Sequence, residues 1–242
     1  MTGPEMATAA AVFLAGGMVK GTLGIGLPLV AVPLLSLFMP ATQAIALVAM
    51  PVLVSNAWQA FDSGDVQGLR RFLPLIATQL VATLLTVPMT LALSPRTLNA
   101  VLGAVVLLAV VLLCLPLRLH VPPARERWWS AGIGALSGAM GGVSSLTGPL
   151  IISYLTSLRL PREAFIGSIS LIYLGSSIPL YASMAAHGRL GGADLALSTL
   201  ALAPVACGLT LGKRLRLHLS EVWFRRVLLA FLAAVAVTLA LK

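Results

Sequence analysis

The sequence contains 242 residues, of which 59% are hydrophobic and only 10% are charged. A soluble domain contains about 25% charged residues, so this chain could not cover a water-facing surface, and its composition indicates a protein that lies in a membrane. The net charge of +9 does not indicate nucleic-acid binding, because the basic residues fall in short loops beside apolar stretches, where the positive-inside rule and anionic lipids account for them.

Taken in chain order, the apolar stretches predict an all-α integral membrane protein with four helical elements in each half. The elements of the first half are 7–39, 41–61, 70–93 and 96–117, and those of the second half are 128–158, 162–186, 193–214 and 220–241. The polar loop Arg118–Arg127 separates the halves, since its Pro122 and Pro123 cannot continue a helix. No cleavable signal peptide is predicted, because Met1–Met6 contains no basic residue.

The two halves are predicted to be homologous repeats, 1–121 and 122–242. A shift of 121 residues aligns Gly and Pro residues of the first half with identical residues of the second. The aligned pairs are Gly17 with Gly138, Gly21 with Gly142, Pro28 with Pro149, and Pro40 with Pro161. Composition alone would align several leucines, but these coincidences of Gly and Pro favour a true internal repeat.

The first element of each half is predicted to be a re-entrant hairpin of two half-helices. A continuous helix over 7–39 would be about 50 Å long, which is too long for one crossing of a core of about 30 Å and too short for two. Both first elements are also interrupted by Gly and Pro near the middle, at Gly21–Pro28 and Gly141–Pro149. A hairpin that enters and leaves on one side fits both observations.

Basic residues test this topology, because they accumulate on the cytoplasmic side of a membrane. If the hairpins do not cross, each half crosses three times, and twelve basic residues fall on one side: Arg70, Arg71, Arg118, Arg125, Arg127, Arg159, Arg162, Lys213, Arg214, Arg216, Arg225 and Arg226. Only Arg96, Arg189 and Lys242 fall on the other side, whereas eight simple crossings would give seven against eight. The topology therefore predicts periplasmic termini and, because each half crosses an odd number of times, two inverted repeats. Inverted repeats with broken helices are typical of secondary transporters.

The break in the first half is predicted to bind an anion. Gly24 and Gly26 let the backbone approach a ligand, and Pro28 fits the first turn of the second half-helix, whose unpaired N–H groups carry partial positive charge. Lys20 is the only charged residue near this break, and a lysine at membrane depth is a candidate functional residue. Extension of Lys20 to the membrane surface is the alternative.

The second break adds hydroxyl groups to the same arrangement. Its candidate ligands are Gly142, Ser144, Ser145, Thr147 and Gly148, and each of the three hydroxyls can donate a hydrogen bond to an oxyanion. In a pair of inverted repeats, the N-termini of the two second half-helices are expected to converge on one central site.

Uncharged polar residues after each break are further candidates for substrate binding. Asn56 and Gln59 share one helix face because they are three residues apart. The repeat places Ser176 at the position equivalent to Ser55, with Tyr173 one turn earlier. Hydrogen bonding between helices is the alternative role for each of them.

No catalytic site, metal site or cofactor is predicted. The segment Gly142–Ser145 is similar to the serine motif of rhomboid proteases, but the three histidines, His120, His187 and His218, all lie in loops, so no buried general base can pair with a serine. A membrane-embedded enzyme is therefore the least favoured alternative.

These residues resemble the sulfite exporter TauE/SafE family, also described as the 4-toluene sulfonate uptake permeases. The resemblance covers essentially the whole chain and is carried by Gly21–Pro28, Pro33–Leu35, Leu136–Gly138 and Gly148–Pro149. It implies a secondary transporter of sulfite, organosulfonates or related small sulfur oxyanions in the bacterial inner membrane, working by alternating access. An anion channel built on the same helix N-termini is the main alternative.

The expected partners are a small anionic substrate and the lipid bilayer. No acidic residue lies within a predicted span, so a coupling proton would have to use Lys20, the substrate itself or a carboxylate at a span boundary. Another coupling ion, a homodimer, and the choice between import and export are all left open by the sequence.

Overall fold

The computed structural model describes residues 3–23, 26–63, 70–115, 121–215 and 221–242, and this part of the chain is helical with no strand. The helices are α1 (Gly3–Leu23), α2 (Leu27–Ser36), α3 (Ala41–Leu47), α4 (Ala49–Ser63), α5 (Leu73–Leu91), α6 (Pro95–Cys114), α7 (Glu126–Ser144), α8 (Gly148–Ser157), α9 (Arg162–Ala186), α10 (Gly192–Leu200), α11 (Leu202–Leu215) and α12 (Glu221–Leu241). A short 3₁₀ turn, Pro123–Arg125, precedes α7. The predicted all-α fold is confirmed.

Six helical segments of the described chain are long and apolar enough to cross a membrane. They are Ala41–Phe61, Leu73–Leu91, Pro95–Cys114, Ala164–Ala186, Gly192–Leu215 and Trp223–Leu241. Each predicted half contributes three of these segments, which agrees with the number of crossings that the basic residues favour. Helices α1 and α7, which begin the two halves, are not among the six. The protein is therefore a multi-pass membrane protein.

Helices α2 and α8 are short, and each follows a break in the backbone. Each has ten residues, which corresponds to about 15 Å, or half of a hydrocarbon core of about 30 Å. In both helices the second residue is proline, Pro28 or Pro149, at a position where the missing N–H leaves no intrahelical bond unmade. Helix α8 begins 121 residues after α2, and α9 begins 121 residues after α3, so the helix boundaries follow the sequence repeat.

One compact unit contains residues 1–51, 94–110 and 189–242. In this unit α2 packs against α1, α3 and α12, while α1 packs against α11. A Cβ on Gly16 would lie 3.0 Å from the side chain of Leu27, so α2 folds back along α1 immediately after the break. The pair α1–α2 therefore has the form of a helical hairpin.

Glycines allow α1 and α11 to approach until their backbones touch. A Cβ on Gly21 would collide with the carbonyl oxygen of Leu209, and a Cβ on Gly212 would collide with that of Met18. The Thr22 hydroxyl, which donates to the Met18 carbonyl at 2.8 Å, also lies 3.3 Å from the Gly212 carbonyl. Small residues drive helix association in membranes by permitting such close packing.

The second predicted element of the chain is interrupted at Val48, between α3 and α4. Pro51 accounts for the interruption, because it cannot donate a hydrogen bond to the carbonyl of Leu47. The Ser198 hydroxyl on α10 replaces that bond by donating to the Leu47 carbonyl at 2.8 Å, and its oxygen accepts the N–H of Met50 at 2.9 Å. One buried hydroxyl thus forms hydrogen bonds with two backbone groups at the kink, the carbonyl of Leu47 and the N–H of Met50.

The second compact unit contains residues 52–93 and 111–188. Here α7 packs closely on α5 along three glycines spaced four residues apart, which are Gly134, Gly138 and Gly142. A Cβ on Gly138 would collide with the carbonyl oxygen of Gln79, and the Thr83 hydroxyl donates to the Gly138 carbonyl at 3.2 Å. This interface repeats the glycine packing of the first unit.

Each compact unit combines parts of both predicted halves. In the first unit α1, from the first half, packs on α11, from the second; in the second unit α7, from the second half, packs on α5, from the first. Because α5 and α11 belong to the third element of their halves, both units are held together by the same pairing of elements. The repeats 1–121 and 122–242 remain a prediction, and the compact units are built across their boundary.

Candidate functional site

The break between α7 and α8 is a turn built by backbone and hydroxyl groups. Ser145 ends α7 in the left-handed conformation, with a φ of 62°, and its N–H donates to the Gly141 carbonyl at 2.7 Å. The Ser144 hydroxyl donates to the Met140 carbonyl at 2.7 Å and accepts the N–H of Leu146 at 3.1 Å. The proton of Ser144 is therefore committed to the turn, which makes Ser144 a weaker candidate for donating to a ligand.

The first turn of α8 begins directly after this break. Its first residues are Gly148 and Pro149, and the preceding Thr147 makes no side-chain cap. The N–H groups at the start of a helix have no intrahelical partner and carry partial positive charge, which favours an anion at this position. Gly148 also lies under the Tyr173 hydroxyl, which would be 2.9 Å from a Cβ placed there.

Five hydroxyl-bearing side chains of the second unit gather around this turn, and we refer to them as the hydroxyl cluster. They are Ser145, Thr147, Tyr173, Ser176 and Tyr181. The hydroxyls of Ser145 and Tyr181 are 3.4 Å apart, and the Ser176 hydroxyl would be 3.0 Å from a Cβ on Gly141. The cluster is thus contributed by the turn itself and by α9, which packs against both α7 and α8.

Four of the five side chains in the hydroxyl cluster are buried and Tyr173 is half-buried, but not every hydroxyl is hydrogen-bonded. Thr147 is 8% exposed and Ser176 is 2% exposed. The hydroxyls of Thr147, Tyr173 and Ser176 have no hydrogen-bond partner among the described residues. None of these three oxygen atoms is fully enclosed by the protein. Hydroxyls in this state can donate to a ligand that enters the site.

The break in the first unit has the same helical framework with different side chains. Gly26 precedes α2 in the left-handed region, with a φ of 105°, and Pro28 lies in the first turn. Lys20, near the end of α1, is 6% exposed, so its side chain lies inside the protein, which disfavours the alternative in which it extends to the membrane surface. Gly24 lies outside the described residues.

The structure brings together most of the candidate residues of the second half. Gly142 contributes to the packing of α7, while Ser144, Ser145, Thr147, Gly148 and Ser176 surround one turn. Lys20, Gly26 and Pro28 belong to the first unit. On α4, Asn56 is buried and Gln59 is half-buried, and their role in binding remains a prediction.

Tyr181 is a member of the cluster that the sequence analysis missed. It follows Tyr173 by eight residues on α9, a little over two helical turns, so both rings project from one side of the helix. That spacing is the signal that could have identified it. The contact between Tyr181 and Ser145, which are 36 residues apart in the chain, depends on the tertiary fold.

The described residues contain six apolar segments long enough to cross a membrane and two short helices that follow breaks containing glycine and proline. Broken helices of this kind recur among secondary transporters. A family model described as Sulfite exporter TauE/SafE matches residues 8–239, nearly the whole chain, and the chain belongs to this family. The family consists of membrane transporters of sulfite and sulfonates rather than enzymes. No curated protein and no solved structure matches the chain.

Proposed function

We propose that this protein is a secondary transporter that carries a small sulfur oxyanion, sulfite or an organosulfonate, across the bacterial inner membrane by alternating access. The observation that carries the proposal is the hydroxyl cluster at the N-terminus of α8, where the hydroxyls of Thr147, Tyr173 and Ser176 lack protein partners among the described residues. Membership of a transporter family supports the assignment as a transporter. The hydroxyl cluster supports the choice of substrate, because it offers hydrogen-bond donors that an oxyanion would accept.

The cluster suits an oxyanion because it presents donors and no negative charge. Sulfite and sulfonate oxygens accept hydrogen bonds, and the cluster offers the hydroxyls of Thr147, Tyr173 and Ser176 beside the first N–H groups of α8. A helix N-terminus contributes roughly half of a positive charge, which attracts an anion without neutralising it completely. Such a site binds a substrate firmly enough to select it and weakly enough to release it.

The break of the first unit contributes a basic side chain. Lys20 is buried there, and a charged side chain inside a membrane protein is a functional candidate because of its cost. We include Lys20 in the proposed substrate machinery. The convergence of the two breaks on one site stays a prediction, as do the periplasmic termini and the use of a proton or another ion for coupling.

The proposal is tested by counterflow of radiolabelled sulfite, and of a sulfonate such as taurine, in proteoliposomes. The test variant is Thr147→Val combined with Ser176→Ala, which removes two unpaired hydroxyls while keeping side-chain shape. Since a hydrogen bond contributes about 1 kcal/mol, loss of two is expected to lower the initial rate roughly 30-fold at low substrate concentration.

The matched control combines Ser153→Ala, on α8, which follows Thr147, with Ser170→Ala on α9, which carries Ser176. Those hydroxyls donate to carbonyls of their own helices, Pro149 at 2.9 Å and Ile166 at 2.8 Å, so transport should change little. Equal rates in the test and control variants would remove the cluster from the substrate path. Continuous single-channel current without counterflow would instead show an anion channel.

A further inference from the structure

A groove opens between α5 and α7 at the end of the second unit that is predicted to be cytoplasmic. Its volume is about 680 Å³, and its lining includes Arg70, Arg71, Arg127 and the apolar residues Leu73 and Pro74. This groove lies at the opposite end of α7 from the hydroxyl cluster, because its residues surround the start of that helix and the cluster surrounds its last residue. It is therefore a separate site from the one proposed for the substrate.

The groove carries an excess of positive charge. Arg71 and Glu126 form a two-point ion pair, with Nε to Oε1 at 2.6 Å and the second guanidinium nitrogen to Oε2 at 3.0 Å, so the only carboxylate in the lining is neutralised. Arg70 and Arg127 are exposed and have no ion-pair partner among the described residues. Two guanidinium groups thus remain for an anionic ligand, and guanidinium forms paired hydrogen bonds to phosphate oxygens.

The other wall of the groove is apolar and continuous with a membrane span. Leu73 and Pro74 are the first two residues of the span formed by α5, and Leu73 is 54% exposed. Trp128, next to Arg127, is 81% exposed, as is typical of aromatic residues at the membrane–water interface. A ligand in the groove would therefore meet basic groups at one end and a lipid-facing surface at the other.

The floor of the groove is fixed by buried contacts. Ser130 is 1% exposed, and its hydroxyl is 2.6 Å from that of Tyr154. The ring of Tyr154 packs edge to face on Phe72 with centroids 6.3 Å apart, and the guanidinium of Arg71 lies 5.6 Å from the Phe72 ring centroid. The residues that follow Arg70 in the chain are thus fixed by buried contacts, and Arg127 lies in the first turn of α7.

We propose that this groove binds the phosphodiester headgroup of an anionic phospholipid, such as phosphatidylglycerol, from the inner leaflet. The arginines match the phosphate, and the apolar wall accommodates the start of the acyl chains, which a free phosphate ion lacks. Basic pockets between membrane helices on the cytoplasmic side are suited to anionic headgroups. The site would anchor the start of α5 and α7, the two helices that pack most closely in this unit, to the membrane surface.

Native mass spectrometry of the purified full-length protein tests this proposal, with phosphatidylglycerol or phosphatidylcholine of equal chain length as the added lipid. The wild type is expected to retain one phosphatidylglycerol preferentially. Arg70→Gln combined with Arg127→Gln should weaken that retention by roughly 10- to 30-fold, since each basic residue near an anionic surface contributes about 1 kcal/mol. The control, Lys213→Gln combined with Arg226→Gln, removes the same charge from exposed positions of the other unit and should retain the lipid.

The outcomes separate lipid from free phosphate and from general charge attraction. Equal retention of both lipids by the wild type, or equal losses in the two double variants, would overturn the proposal. Displacement of bound phosphatidylglycerol by millimolar inorganic phosphate or glycerol phosphate would show a soluble phosphate site and would also overturn the lipid assignment. Retention that resists both ions and falls only in the Arg70/Arg127 variant supports it, and normal thermal melting of that variant excludes misfolding as the cause.

Discussion

The two broken helices share a backbone framework and differ in chemistry. At each break a glycine-packed helix ends, the described residues include one in the left-handed conformation, and a ten-residue helix begins with proline at its second position. This residue is Gly26 at the first break and Ser145 at the second. The polar side chains nearby include the buried Lys20 and Thr22 in the first unit and the neutral hydroxyl cluster in the second.

This difference distinguishes the residues that stabilise a break from the residues that are candidates for binding a ligand there. Glycine packing and the proline position occur at both breaks, so they serve the backbone. The buried lysine occurs only at the first break and the cluster of unpaired hydroxyls only at the second, since the Thr22 hydroxyl at the first break donates to the Met18 carbonyl. Neither the lysine nor the cluster is therefore needed to form a broken helix. The residues that differ between the breaks are therefore the ones to examine for substrate binding, and the residues that match are the ones to examine for stability.

The largest effect is expected from the matching residues Gly17 and Gly138. In either position a Cβ would collide with a backbone carbonyl of the facing helix, that of Val205 or of Gln79. Gly17→Leu and Gly138→Leu should each cost about 3 kcal/mol or more, because the facing backbone cannot move aside. The measurement is the yield of folded protein in detergent and its thermal melting.

Gly132 provides the control for this pair, because a Cβ placed there meets no atom within 4 Å. Gly132→Leu should melt close to the wild type. A large loss of stability in Gly138→Leu combined with a small loss in Gly17→Leu would show that the two glycine interfaces are not equivalent. The two units would then resemble each other only in the turns at their breaks.

Removing the charge of the first break is expected to have the next largest effect. Lys20→Gln should lower the initial rate of sulfite transport by about 10- to 100-fold, since a hydrogen bond to a charged group contributes about 1.5–3 kcal/mol. Lys213→Gln, at an exposed position near the end of α11, is the control and should transport normally. Normal transport by Lys20→Gln with unchanged melting would remove Lys20 from the proposed substrate machinery.

The breaks themselves could be predicted from the sequence, because proline and glycine act locally. Pro28 and Pro149 lie where the sequence pattern places them, in the first turn of a short helix. The pairing of α1 with α11 and of α5 with α7 could not be predicted in this way. This pairing depends on glycines that allow close backbone contact between helices far apart in the sequence, and the sequence does not show which helices face each other.

The part of the candidate site that is local in the sequence could be predicted, and the part that depends on tertiary packing could not. Ser145, Thr147 and Gly148 belong to one local segment, and Ser176 follows from the repeat. Tyr181 reaches the site only through the packing of α9. The commitment of the Ser144 proton to the Met140 carbonyl also depends on the geometry of the turn, which residue types alone do not define.

Ser145 offers a smaller test that separates its backbone role from its side-chain role. Ser145→Gly relieves the left-handed strain and removes the hydroxyl, whereas Ser145→Ala removes the hydroxyl and keeps the strain. Both variants should lower transport about 5-fold through the loss of one hydrogen bond, but only Ser145→Gly should gain stability, by about 0.5–1 kcal/mol. Wild-type transport in Ser145→Gly would leave Ser145 as a turn residue, and the second break would then bind through its other hydroxyls.

The smallest effects are expected at the far ends of the two short helices, which stop in different ways. The Lys242 amine donates to the carbonyls of Leu37 at 2.8 Å and Ser36 at 3.3 Å, at the end of α2. Helix α8 instead ends with Arg159 in the left-handed region, with a φ of 51°. Lys242→Gln should therefore cost about 0.3–1 kcal/mol, while Arg159→Gly should gain about 0.5 kcal/mol by releasing strain.

Thermal melting at low and high salt distinguishes these two endings. Lysine acts on the helix end through its charge, so the difference between Lys242→Gln and the wild type should shrink as the salt concentration rises. The gain in Arg159→Gly comes from the backbone and should not depend on salt. Because both residues lie outside the proposed substrate machinery, neither variant should change the apparent affinity for sulfite. A change in that affinity for Lys242→Gln alone would show that the end of α2 is coupled to binding, and the two hairpins would then differ in function at both of their ends.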